Sequence, residues 1–438
     1  MKNYLQYGLA ALLLMVVISS CKKDEFIPPP EGEKVPYTAP DLKSLGETLK
    51  ASPYQLFLKL YQRSNMDSVL NSPFAHTLLA PTDAAMQAAG YTETSIDGIT
   101  ASEADALVAY FTIRGKFTRE ALQQRMGNLE GVTLLSRSDY KVYPYYYGNG
   151  TGSQQYDNYY YRHYILVSAD KLLVNGLPEG DAKNGLDAKN GYIWPLENML
   201  QKPVDKSFWQ LLKADPRFSM LMEVQRLADS TYDKRYRIAF EEAMGYDPGG
   251  NGWVSGTRTN YEAKADLIPD FTGTILMNFN MMFAPTNEAF HKAGFQTVQE
   301  VMAWNDKYAT TGVFDWNTWQ ISDFGFPSDT VLAYHWDFGR DNLLYSGTYG
   351  KAPGQMPTVF FGNDLNDQYL ADYPVNHIAG SMIYIMPFAF GKSADGKPTV
   401  MIKGSDAPPA TVIETIPTVM GPLHVVDRLL LPKNFKMN

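Results

Sequence analysis

Ala80-Pro81-Thr82-Asp83-Ala84-Ala85-Met86-Gln87-Ala88-Ala89-Gly90-Tyr91 and Ala284-Pro285-Thr286-Asn287-Glu288-Ala289-Phe290-His291-Lys292-Ala293-Gly294-Phe295 are two copies of one pattern. Six positions are identical, three more are conservative, and the proline-to-glycine spacing is the same, which marks an internal repeat. Each copy reads as a strand, a turn and a helix. Thr77-Leu78-Leu79 and Met281-Met282-Phe283 are short apolar strand runs. Pro81 or Pro285 then stops the ladder, because proline has no backbone donor. Thr82 or Thr286 suits a helix N-cap, with Asp83 or Asn287 in the first turn. Ala85-Met86 and Ala289-Phe290 supply the apolar face, and Gly90 or Gly294 closes the helix in a left-handed conformation. Nothing here requires a ligand.

Flanking landmarks repeat in the same order. Leu49-Lys50-Ala51-Ser52-Pro53 precedes the first copy and Leu212-Lys213-Ala214-Asp215-Pro216 the second. Val108-Ala109-Tyr110-Phe111 and Leu332-Ala333-Tyr334-His335 follow them. Each unit ends on an apolar strand after a glycine, Gly191 to Leu200 in the first and Gly421 to Leu431 in the second. In this order the landmarks resemble the fasciclin (FAS1) domain, over nearly everything from Asp41 to Pro432. The second unit follows the family pattern closely. The first departs from it, with Phe111 in place of the histidine of the Tyr-His pair, and Trp194 and Glu197 where His and Asp are usual.

The resemblance implies an α+β fold of two tandem fasciclin-like domains, each a β-sandwich-like wedge with packed helices. The expected organisation is a signal peptide over 1–20, a lipidated tether over 21–40, one domain over 41–204 and a second over 205–438. From the proline motif to the aromatic pair there are 29 residues in the first unit (81 to 110) and 49 in the second (285 to 334). The second unit also gains residues around Asp229 to Asp266, including Pro248-Gly249-Gly250-Asn251-Gly252. Such excursions, leaving the shared landmarks alone, are expected to be surface loops.

The amino terminus reads as an export signal. Lys2 precedes an apolar run from Leu9 to Ile18, too short for a bilayer core that needs roughly 20 residues. Cys21, the chain's single cysteine, ends it. Ile18-Ser19-Ser20-Cys21 resembles a lipobox with Ser20 in place of the usual Gly or Ala, so Cys21 is the expected site of acylation. Lys22-Lys23-Asp24-Glu25 resembles the surface-export signal of Bacteroidetes-type lipoproteins. The expected location is the outer membrane, lipid-anchored and facing the exterior. Proline-rich sequence from Phe26 to Pro40 would hold the folded part away from the bilayer.

Composition narrows the partners. Apolar residues are 45% and charged residues 19%, as in folded globular chains. A net charge of −9 without any Lys/Arg-rich run speaks against nucleic acid and against electrostatic attraction to anionic membranes. The six histidines include no pair at i,i+4 around a glutamate and no His/Cys cluster, so no metal and no cofactor is expected. His335 and His424 fall at family positions and are expected to be hydrogen-bonded within the fold. Asp364, Asn366 and Asp367 lack the glycine and glutamate of a calcium loop and read as a polar turn. No nucleophile elbow or phosphate loop is present, and no catalytic residue is assigned.

Ten of the 25 residues from Tyr140 to Tyr164 are tyrosine. Part of this is strand, where alternation buries about half the rings. The remainder offers a possible binding loop of Tyr145, Tyr146, Tyr147, Tyr156 and Tyr159, whose rings suit protein surfaces and sugar faces alike. The function the resemblance implies is non-catalytic binding or adhesion to a protein, matrix or glycan partner. The alternative is an accessory subunit of a SusC/SusD-type nutrient-uptake complex.

Overall fold

A computed structural model of the chain describes residues 41–142, 157–246, 267, 273–277, 279–308, 313–315, 320–322, 326–336, 358–376 and 384–435. Cys21 and the Lys22–Glu25 signal lie outside them. In chain order the strands are β1 (His76–Pro81), β2 (Thr112–Arg114), β3 (Leu129–Val142), β4 (Asp157–Ser168), β5 (Lys171–Val174), β6 (Leu177–Asp181), β7 (Leu186–Ala188), β8 (Gly191–Leu196) and β9 (Ile275–Leu276). There follow β10 (Met282–Pro285), β11 (Val313–Asp315), β12 (Gln320–Ser322), β13 (Pro374–Asn376), β14 (Tyr384–Ile385), β15 (Phe388–Lys392), β16 (Pro398–Ile402), β17 (Ala410–Thr418) and β18 (Gly421–Val426).

One sheet runs β6-β5-β4-β3-β2-β1-β8-β7, with β9 added alongside β3. The other runs β10-β18-β17-β16-β15. The first folds back on itself, so that the Glu197 N–H just after β8 reaches the Glu179 carbonyl of β6 at 2.6 Å. With helices packed against both sheets, the architecture is mixed α+β.

The sequence repeat is a repeat of geometry. β1 lies parallel to β8 with Leu79 opposite Trp194, and β10 lies parallel to β18 with Phe283 opposite His424. Thr82 Oγ1 accepts the Ala85 N–H, and Thr286 Oγ1 accepts the Ala289 N–H. Gly90 and Gly294 sit at φ 86° and 98°. The next N–H, of Tyr91 or Phe295, reaches back to the carbonyl of Met86 or Phe290, which closes each helix. Asp83 and Asn287 each accept a backbone N–H of an earlier helix, from Leu56 and Met220, both at 2.9 Å.

The same holds where the closing strand starts. A Cβ on Gly191 would lie 2.2 Å from the His76 carbonyl oxygen, and one on Gly421 2.0 Å from that of Asn280. Only glycine admits so close an approach of two backbones.

The second unit's excursions are not all loops. Ser219–Met244 is one 26-residue helix, so Asp229 to Met244 is helical. That stretch contains neither proline nor glycine, and Gly245 at φ 78° ends it. The added length between Pro285 and Tyr334 holds the Val298–Tyr308 helix and the β11–β12 pair. Arg235 and Asp306 join the two long helices through a 2.9 Å ion pair. Pro248 to Gly252 lies outside the described residues.

Residues Leu42–Asn438 form one compact unit. A single apolar cluster runs through both halves, from Leu45, Phe57 and Trp194 to Met282, Leu423 and Leu429. A second cluster, with Phe283, Phe388 and Leu430, is confined to the later half.

Candidate functional site

Of the possible binding-loop tyrosines, Tyr145, Tyr146, Tyr147 and Tyr156 lie outside the described residues. Tyr159 does not belong to an exposed loop. It sits in β4 and is 2% exposed, because strand alternation turns it inward with Tyr161 and leaves Tyr160 outside, under the Arg114 guanidinium. Its ring meets Tyr140 and Tyr161 edge-on and stacks on Phe279 at 5.9 Å. Tyr159 therefore stiffens the contact between the halves of the chain.

That contact has a clasp and, adjoining it at Phe361, a cleft. In the clasp, the buried Asp364 carboxylate receives the backbone and side-chain N–H of Asn128. Burial pushes Asp364 up to about 6, against the pull of its N–H donors. Asp364 thus lies in the polar turn expected of it, and the turn serves to join β3 to the later half. Elsewhere the Val204 N–H donates to the Pro417 carbonyl and the Val419 N–H to that of Val204. β9 pairs in parallel with the end of β3, Tyr140 opposite Ile275.

The cleft encloses about 320 Å³. Residues of β4 to β6 and the segment from Met199 to Val204 line one side; Phe279, Phe361 and Pro417 to Gly421 line the other. Its wall is mainly apolar, with Tyr164 packed on Phe361 at 5.2 Å. The Arg162 guanidinium lies 3.9 Å above the Phe279 ring and is bonded to Glu130 at 2.8 Å. Lys202 holds its ammonium 5.7 Å from the Tyr161 ring.

Glu179 is the exception in this wall. It is 6% exposed and its Oε2 has no hydrogen-bond partner among the described residues. Burial pushes its pKa up; a side-chain bond from Asn198 opposes this and the charge of Glu197 adds to it. The sequence Leu177-Pro178-Glu179-Gly180 carries no motif that singles it out. Only the fold-back of β6 onto β8 makes this acid a buried one.

Residues 52–201 match the family model of the Fasciclin domain. Among solved structures the chain is similar to a FAS1 domain pair from the insect cell adhesion molecule fasciclin I. The identity is 11%, over 87% of this chain and 98% of that one, with a TM-score of 0.25, too low to bear on the fold. No curated protein matches the chain.

The segment matched as a Fasciclin domain is the first unit, although the second keeps more of the family's landmark residues. In the second unit those landmarks are spread further apart along the chain. One of the first unit's departures, Trp194, preserves geometry. Trp194 donates its ring N–H to the Phe117 carbonyl at 2.9 Å. His424, at the equivalent register, has its Nε2 2.9 Å from the Phe360 carbonyl. Tryptophan in the first half thus does what histidine does in the later half. Phe111, in place of the pair's histidine, packs edge-on against Phe57. Glu197 is exposed and does not reproduce Asp427, which accepts the Thr411 N–H and pairs with Lys292.

Three fully buried histidines, His163, His335 and His424, have both ring nitrogens occupied. Leu430 donates its N–H to His335 Nε2, so Nδ1 carries the proton that faces the Phe283 carbonyl. His424 sits between the Phe360 carbonyl and the Thr415 hydroxyl. His163 lies between the Tyr110 carbonyl and the Asn175 amide. Burial lowers all three to about 4, so they are neutral at pH 7. Such side chains hold backbone together and have no lone pair free to take a proton from a substrate. His76 bonds the Phe74 carbonyl, His291 lies 3.5 Å from Glu288, and His377 is outside the described residues. Among the described residues no three His, Cys, Asp or Glu side chains gather as a metal-binding group.

Proposed function

We propose that this protein is a surface lipoprotein that binds a partner outside the cell and performs no chemistry on it. The observation that carries the reading is the Fasciclin domain match over residues 52–201, since fasciclin domains are binding and adhesion modules. The occupied nitrogens of His163, His335 and His424 support it. The anchor is Cys21, acylated after removal of residues 1–20, and Lys22-Lys23-Asp24-Glu25 directs the protein to the outer face of the outer membrane. Two or three acyl chains hold it there, at about 0.8 kcal/mol per buried methylene. A protein or glycan is the partner, and the tyrosines from Tyr145 to Tyr156 lie where it is met.

The test is an affinity capture of the tagged full chain from detergent-solubilised outer membranes, beside a Cys21→Ala variant. The anchored reading expects acylated Cys21 by mass spectrometry and loss of the variant from the membrane fraction. Intact cells adhering to a matrix or host partner through this protein would support adhesion. Stoichiometric recovery of a SusC/SusD-type transporter would replace free-standing adhesion with an uptake role. Recovery of the variant in membranes would overturn the anchor.

A further inference from the structure

We infer that the cleft between the halves is a binding site for a primary ammonium group carried on an apolar stem, with Glu179 as its anion. Native proteins pair nearly all buried polar side-chain atoms, and an unpaired buried carboxylate oxygen is among the costliest to leave so. Glu179 Oε2 is such an atom, and its residue lines the cleft. Oε2 has no partner among the described residues and is left for a donor arriving through the cleft.

A cation is favoured over a neutral donor because of the neighbouring charges. Glu197 adds negative potential at Glu179. Of the basic groups that line the cleft, Arg162 is paired with Glu130, and Lys202 rests 6.0 and 5.7 Å from the Tyr110 and Tyr161 rings. An ammonium reaching Glu179 forms a charge-assisted bond against a mainly apolar wall, a setting that strengthens such bonds. The stem is apolar because Val174, Leu177, Met199, Leu200, Phe279 and Phe361 surround the path. At about 320 Å³ the space is near the lower end of ligand pockets, enough for an arylalkylamine or for a lysine side chain of a partner. Leu177, 60% exposed, stands at the mouth. The inference is independent of adhesion, which needs no small ligand.

The probes are 2-phenylethylamine, 3-phenylpropionate and Nα-acetyl-lysine methylamide. Each is titrated calorimetrically at pH 7 into the full chain in detergent, with Glu179→Gln run in parallel so that micelle partitioning cancels. The expected result is saturable amine binding that weakens at least tenfold in E179Q, with no saturable binding of the carboxylate. Binding of the lysine derivative with the same dependence would assign the site to a partner's lysine; binding of phenylethylamine alone would assign it to a free amine. Should E179Q fail to fold, Leu177→Arg, an exposed change that places a cation at the mouth, must weaken amine binding likewise. Equal binding by wild type and E179Q, equal binding of amine and carboxylate, or no saturable amine binding by folded wild type would overturn the proposal.

Discussion

Asn128 and Asp364, 236 positions apart in the chain, meet through two hydrogen bonds, backbone N–H to Oδ1 at 2.8 Å and side-chain N–H to Oδ2 at 2.7 Å. The Phe361 N–H adds a third bond to the carboxylate at 3.0 Å, and Asn128 exchanges amide bonds with Asn363. Nearby, Gly127 lets the Tyr369 ring approach to where a Cβ would clash at 2.0 Å. These contacts bind the first half of the chain to the later half through a buried charge, which is costly to leave under-bonded.

Asn128→Ala keeps the backbone bond and deletes the side-chain one together with the exchange with Asn363. Hydrogen bonds to charged groups contribute about 1.5–3 kcal/mol, so the variant should lose about 2–3 kcal/mol. Urea denaturation followed by tryptophan fluorescence measures it. A midpoint unchanged from wild type would show that the clasp is not holding the halves together.

Asp364 and the histidines make opposite contributions to stability against pH. The folded histidines titrate near 4 and unfolded ones near 6.5, so their contribution is complete above 6.5 and is lost as pH falls towards 4. Asp364 titrates near 6 folded and 3.8 unfolded. Its contribution is complete below 3.8 and is lost as pH rises through 6. Near pH 5 the unfolded chain thus binds nearly three more protons through the histidines and nearly one fewer through Asp364. Asp364→Asn removes the opposing proton, so its stability should fall with acid more steeply than wild type, by about 1.4 kcal/mol per pH unit. Denaturation at several pH values gives both slopes. Parallel slopes would mean that Asp364 titrates alike in the folded and unfolded chain.

Two glycines of the repeat should respond very differently to alanine. Gly421, at φ 141°, leaves no room, since the new Cβ would stand 2.0 Å from the Asn280 carbonyl oxygen. Gly294, at φ 98°, has nothing within 4 Å. Gly294→Ala should cost on the order of 1 kcal/mol, from the backbone conformation alone. Gly421→Ala adds a backbone collision that moves β18 away from β10, and should cost on the order of 3 kcal/mol or more. Thermal unfolding of the two variants side by side tests the ranking.

What the sequence makes legible is local. The Thr82 and Thr286 caps and the left-handed Gly90 and Gly294 are each set by residues within a few positions, so a single chain suffices to read them, whereas the His76 and Asn280 carbonyls that require glycine at 191 and 421 come from distant segments. Trp194 is a departure in residue type at a position where hydrogen-bond geometry is what is kept. The stretch from Asp229 to Met244 reads as an insertion against the shorter unit, and its helical character shows only in the absence of proline and glycine. Asn128 with Asp364, and Glu179 in its cleft, depend on contacts between distant segments and leave no mark at short range.

Tyr159 separates a surface role from a structural one. An exposed binding tyrosine changed to alanine leaves stability within about half a kcal/mol and removes ligand affinity. Tyr159 is buried against Tyr140, Tyr161 and Phe279, with its hydroxyl 3.4 Å from the Val419 carbonyl across the two halves. Deleting a buried aromatic ring leaves a cavity, and such changes cost about 3–5 kcal/mol. Tyr159→Ala should therefore lower the unfolding free energy by that order, while Tyr160→Ala, its outward neighbour, loses only the contact with Arg114 and costs about 1 kcal/mol or less. Denaturant midpoints of the two variants decide the matter. If Tyr159→Ala unfolds at the wild-type midpoint, the ring is not part of the core, and the exposed-loop reading returns.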